Sequence, residues 1–120
     1  MKTATRIAAQ GDVLFYRVNE MPANAVEQKR SGPLVVAHSE TGHHHAIASK
    51  AVSHFEVPGD SLVCYLRLDD GLGDLGGVDV VHHRDFDTHE TLRLLGRPGD
   101  VWKVRRQREW APEGWRAVLD

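Results

Sequence analysis

A chain of 120 residues, 41% hydrophobic and 27% charged, fits one domain with its own core and leaves little room for two. No stretch approaches the roughly 20 apolar residues of a membrane helix, and residues 1–7 lack the apolar core of a secretory signal, so the expected location is the cytoplasm. The formal net charge of −2 argues against a general nucleic-acid binder, but it hides an asymmetry. Residues 54–92 carry nine acids against Arg67 and Arg84, whereas residues 93–116 carry seven bases against Asp100, Glu109 and Glu113. The economical expectation is that these regions attract each other inside one fold.

Turn residues recur every eight to twelve positions, and the runs between them favour β-branched and aromatic side chains. Residues 1–10 read as an N-terminal extension, and residues 11–120 as a single β domain. Gly11-Asp12 opens a strand over 13–18, which Met21-Pro22 ends. Residues 25–30 suggest a helical turn, stopped by Ser31-Gly32-Pro33. Strands are expected over 34–38, 43–48, 51–57, 61–68, 78–83, 91–95, 101–108 and 115–119, with a loop from Asp69 that extends through Gly76-Gly77. No segment keeps a 3.6-residue apolar period over eleven residues. The fold class is all-β: a small barrel or sandwich of about eight or nine short strands.

Eight histidines are many for this length, and their placement is more telling than their number. His38-Ser39-Glu40-Thr41-Gly42-His43-His44-His45 sets a turn between two expected strands. In a symmetrical hairpin His38 lies opposite His43, and His45 shares their face while His44 points away. Three imidazoles on one face suit a divalent transition metal, with zinc, iron, nickel and copper all accepting such a set. Glu40 in the turn could supply an oxygen ligand or orient an imidazole, and an open position would admit a small-molecule ligand. A one-residue slip in register would remove His38 from that face. Exposed or pH-responsive histidines are the plainer alternative.

A second group, His82-His83-Arg84-Asp85-Phe86-Asp87-Thr88-His89-Glu90, again flanks a turn. With 84–88 as loop, His83 faces His89 and His82 faces Glu90. His89 is the expected fourth ligand, with His83 and Glu90 as alternative ligands and Asp85 or Asp87 as orienting acceptors.

The C-terminal run Val101-Trp102-Lys103-Val104-Arg105-Arg106-Gln107-Arg108-Glu109-Trp110 mixes bases with aromatics. Alternation puts Lys103, Arg105 and Gln107 on one face, opposite Trp102, Val104, Arg106, Arg108 and Trp110. Trp102 reads as core, whereas Arg105, Arg106, Arg108 and Trp110 are candidate contacts for a protein partner. Four bases and no RNA-binding signature make nucleic acid the weaker partner. Cys64, in the apolar run Leu62-Val63-Cys64-Tyr65-Leu66, reads as a buried small hydrophobe. No Walker motif, dinucleotide-binding glycine fingerprint or nucleophile elbow occurs.

Several of these segments together resemble an uncharacterised family of short bacterial and phage-associated β proteins. They are Gly11-Asp12-Val13-Leu14, the run from His38 to His45, His89-Glu90, and Val104-Arg105-Arg106-Gln107-Arg108-Glu109-Trp110. That likeness covers most of the chain from Gln10 onward and implies a β fold with no assigned activity. The His segment is one residue shorter between Glu40 and Gly42 than in some versions of the pattern. A looser likeness is to cupins, β-barrels with a His-x-His metal motif that His43-His44-His45 matches. The cupin glutamate is replaced by Ala48-Ser49-Lys50, and Asp100-Val101-Trp102 follows Pro98-Gly99 where cupins place a histidine. The likeness implies a barrel more than cupin chemistry. The sequence thus suggests a metal-binding β protein of unassigned activity, with a non-enzymatic interaction module as the alternative.

Overall fold

Residues that alternate between a dry and a wet side build most of this chain, and the computed structural model shows that alternation strand by strand. It describes residues 1–37, 44–83, 88–106, 108–111 and 114–117, with backbone alone for 83, 88, 89, 108–111 and 114–117. Thirteen strands occur among the described residues. They are β1 (Lys2–Ala4), β2 (Ile7–Gln10), β3 (Val13–Val18), β4 (Val26–Gln28), β5 (Leu34–Ala37), β6 (His45–Ile47) and β7 (Val52–Val57). There follow β8 (Asp60–Leu68), β9 (Gly77–His83), β10 (Thr88–Leu95), β11 (Val101–Arg106), β12 (Arg108–Ala111) and β13 (Gly114–Ala117). A 3₁₀ turn, Gly73–Leu75, interrupts the loop before β9. No described helix is long and apolar enough to cross a membrane.

One sheet has the order β1-β10-β9-β6-β5 and the other β2-β3-β11-β8-β7-β4. They pack face to face as a sandwich. Trp102, Phe15, Leu66 and Leu68 from the six-stranded sheet meet Ile47, Val80, Leu92 and Leu94 from the five-stranded sheet, all fully buried. Each such side chain contributes about 1.5–3 kcal/mol on leaving water. A smaller apolar cluster covers the outer face of the six-stranded sheet, where Phe55, Tyr65 and Val101 pack with Met21 and Ala25. The connection from β3 to β4 therefore crosses that face.

Most expected strands appear within a residue or two of their anticipated bounds. The helical turn expected over 25–30 is instead β4, whose Val26, Glu27 and Gln28 pair with Glu56, Phe55 and His54 of β7. An available sheet edge overrides a weak local preference. The first ten residues contribute β1, parallel to β10, and β2, antiparallel to β3, so the chain changes sheets within Thr5-Arg6. The first part of the basic run lies inside a sheet: β11 runs between β3 and β8, and Trp102 is wholly enclosed.

Two glycines have steric reasons. Pro58-Gly59 makes the two-residue turn between β7 and β8, with Gly59 at φ 85°. Gly77 opens β9 so close to β10 that a Cβ would lie 2.1 Å from the Leu94 carbonyl oxygen.

Candidate functional site

At one end of the sandwich the core changes from apolar to polar within a single step of the pleat. On the inner face of the five-stranded sheet, Ile47 of β6 pairs with Val80 of β9, and Val80 with Leu92 of β10. Two residues along, His45 pairs with His82, and His82 with His89. Three adjacent strands thus carry a histidine at the same level. The period of two that buries Val78 and Val80 also buries His82, as it does His45 alongside Ile47. His45 is 1% exposed and His82 0%.

The opposing sheet supplies two further buried polar groups, Gln10 at the end of β2 and Asp12 in the turn before β3. The Gln10 amide nitrogen donates to the carbonyls of Val80 (2.8 Å) and Glu90 (3.2 Å), tying the two sheets together. Its oxygen, which can only accept, lies 2.9 Å from His45 Nδ1. Nδ1 must therefore carry the proton of that bond. When His45 is neutral, Nε2 holds the ring's lone pair, and it faces Asp12 Oδ1 at 3.6 Å. The His45 and His82 rings stack at 3.8 Å between centroids with planes 15° apart. Asp12, His44, His45 and His82 each make further contacts beyond these.

The sequence-derived ligands distribute as follows. His45 is at the centre of the cluster. His89 occupies the row by register, opposite His82, and His83 pairs with Thr88 rather than with His89. In that register β9 ends at His83 and β10 begins at Thr88, and an irregularity between His89 and Leu92 restores the inward phase of Leu92 and Leu94. His38, Glu40, His43, Asp85 and Asp87 lie outside the described residues. Up to Val35 the β5–β6 pairing keeps the register that would set His38 opposite His43, but a bulge between Val35 and Ala37 shifts it, so Ala37 faces His45. Val36 and Ala37, the successive residues at the bulge, are both buried. Glu90 is exposed, and its carboxylate lies 3.6 Å from the Met1 amino group. Among the described residues, no group of three or more histidine, cysteine, aspartate or glutamate side chains is placed to hold one ion.

Asp12, Gln10 and His82 were not singled out as ligands from sequence. Asp12 reads there as turn chemistry. His82 ends the inward series Val78-Val80-His82, and that alternation was the signal that marks it.

Of the basic run, Arg105 is exposed and Arg106 half-buried on the opposite, inner face. Lys103 lies 5.7 Å from the Tyr16 ring and 5.9 Å from that of Tyr65 on the outer face. Arg108 and Trp110 belong to β12, which pairs with β13 as a separate two-stranded sheet. The acidic middle region finds a base in Arg93, whose guanidinium holds Asp79 at 2.7 and 3.1 Å. Cys64 is buried, with its thiol 3.8 Å from the Val36 carbonyl. Burial, reinforced by Glu56, pushes that thiol up to about 12, so it stays protonated and is no nucleophile near neutrality.

No curated protein and no solved structure matches the chain. Residues 9–107 match a family described as a domain of unknown function, DUF8820. The match spans well over half of the sequence, and the chain belongs to that family.

Proposed function

We propose that this protein binds a divalent transition metal at the histidine end of the sandwich. His45 Nε2 and Asp12 would be the buried anchors, with His38, His43 and His89 supplying the remaining ligands. The observation that carries this reading is the fixed orientation of His45. A carboxamide holds its Nδ1 proton and aims the other nitrogen at a buried carboxylate 3.6 Å away. That arrangement is the usual support of a ligating imidazole. Two ligands of one tetrahedral ion, each about 2.0–2.2 Å from it, stand roughly 3.4 Å apart, close to the separation seen.

His82 has a different part. Stacked rings direct their in-plane lone pairs side by side rather than toward a common point, so His82 holds the His45 ring in place. Zinc, iron, nickel and copper all accept imidazole with carboxylate, and such an ion would polarise a bound water or small ligand. The His-x-His likeness to cupins fits this reading, and so does a reducing cytoplasm, where a lone buried thiol persists.

The test is metal analysis of protein purified without an affinity tag, followed by cobalt titration monitored by visible absorption. About one equivalent, reduced in Asp12→Asn, is expected. Less than about 0.2 equivalent of any transition metal, with no uptake on titration, would sink the proposal.

One observation favours a second reading, a protein-binding module. The β12–β13 hairpin, with Trp110 opposite Trp115, pairs with neither large sheet among the described residues. An isolated hairpin is marginal in water, and a partner's surface would stabilise it. Replacing Arg105, Arg108 and Trp110 together by Ala should then abolish capture of a co-purifying protein while sparing metal uptake. Retained capture counts against this surface.

A further inference from the structure

The sandwich does not close completely beside the histidine row. A cleft of about 170 Å³ opens between β5 and the facing β7, β8 and β11. Val36, Ala37, Cys64 and Val104 give it apolar walls, and His54 and Arg106 bring nitrogen groups to them. Its position follows from register. Gln10 pairs with Val13, and Val13 with Arg106, so Arg106 stands at the level of the amide that holds His45. On the opposite wall, Ala37 is the cross-strand partner of His45. The cleft therefore runs alongside the histidine cluster.

Arg106 is half-buried, and among the described residues no carboxylate lies within ion-pairing distance of it. By contrast Arg17, Arg67 and Arg93 each have an acid. His54 offers no second cation, because burial, helped by Arg30 and opposed by Glu56, holds its imidazole below the ordinary value. It remains a neutral hydrogen-bonding group at pH 7. Glu56, exposed at the rim, adds one negative charge to the mouth.

We infer that this cleft binds a small organic monocarboxylate, with its carboxylate on Arg106 and its hydrocarbon body against Val36, Cys64 and Val104. The size supports that class: a cavity of roughly 150 Å³ accommodates benzene, so this one suits a body of about six to eight heavy atoms. Charge supports it as well. One guanidinium offers a planar fork to one carboxylate, whereas Glu56 at the mouth disfavours dianions. The inference goes beyond the metal reading and does not depend on it.

The experiment uses the full chain stripped of metal with a chelator, so that carboxylate binding is read apart from metal binding. Isovalerate and its neutral isostere isovaleramide are titrated while backbone amide resonances are followed by NMR. Isovalerate should shift the amides of Val36, Ala37, Cys64 and Val104 saturably, and isovaleramide should bind about tenfold more weakly or worse. Arg106→Gln should lose about tenfold or more in isovalerate affinity, with Arg106→Lys intermediate and both variants still taking up cobalt as the parent does. Absence of saturable shifts with isovalerate, equal binding of the amide, or unchanged affinity in Arg106→Gln would each overturn the inference. The acid–amide comparison on the parent chain decides the matter even if an Arg106 variant does not fold.

Discussion

The two ends of the sandwich satisfy their polar groups in opposite ways. Away from the histidines the turns are closed by backbone bonds: Leu68 N–H donates to the Asp100 carbonyl, Gly99 N–H to Leu68, Asp69 N–H to Ala51, and Gly96 N–H to Gly76. The side chains there, such as Asp69 with Arg67 and Ser53, or Asp100 with Arg17, work in partly exposed positions. The histidine end instead encloses Gln10, Asp12, His45 and His82, each less than 9% exposed. Burying polar side chains costs stability unless each finds a partner, and a valine or leucine in the same places would stabilise the core more simply. The first end is built for closure. The second is where the proposed ligand site lies.

The largest effect should come from the part both ends share. Trp102→Ala empties the centre of the core, and denaturant unfolding should show a loss of about 3–5 kcal/mol. A loss below 1 kcal/mol would mean that the two ends are stabilised separately. At the closed end, Gly77→Ala drives a methyl into the Leu94 carbonyl and should cost about 1–3 kcal/mol, with metal uptake by the folded fraction unchanged.

At the histidine end, Gln10→Ala removes the acceptor for His45 and the donor to two carbonyls. Calorimetry should show a comparable loss of about 1–3 kcal/mol, and metal affinity should fall about 10–100-fold. If Gly77→Ala weakened the metal as much as Gln10→Ala did, the distinction between the ends would fail.

The smallest effect concerns acidity. His54 is held below its ordinary value of 6.5 chiefly by burial, so the unfolded chain binds its proton first as the pH falls. The contribution of neutral His54 is therefore complete above pH 6.5 and declines below it, toward the depressed folded value. Urea midpoints measured between pH 7.5 and 5 should fall less steeply for His54→Asn than for the parent. Identical slopes would place the acid sensitivity elsewhere.

Much of this architecture was legible in the residues. Val13 to Val18 and the run ending at Leu68 declared themselves through β-branched and aromatic content bounded by glycine and proline. The bulges at Val36 and beyond His89 were not readable, because both arise from how strands meet and not from any local signal. They matter most for the site, since each changes which histidines stand opposite. Strand β4 was hidden for a similar reason: Val26, Glu27 and Gln28 are extended only because β7 offers an edge. His45 and His89 were named as candidates from the histidine count and turn spacing. Gln10 and Asp12 come from the other sheet, and no spacing rule connects them to position 45.

The parallel pairing of β1 with β10 sets an order of events in folding. Lys2, Thr3 and Ala4 contact Leu92, Arg93 and Leu94, about ninety residues later in the chain. Such a contact adds to a high contact order, and the chain must close a very long loop to make it. During synthesis β1 has no partner until β10 leaves the ribosome, whereas β2 can join β3 almost at once. The bonds around Gln10, which span both sheets, can likewise form only after Val80 and Glu90 have been made. The histidine end is thus expected to assemble in a late, slow phase of refolding, after the β7–β8 hairpin and its neighbours.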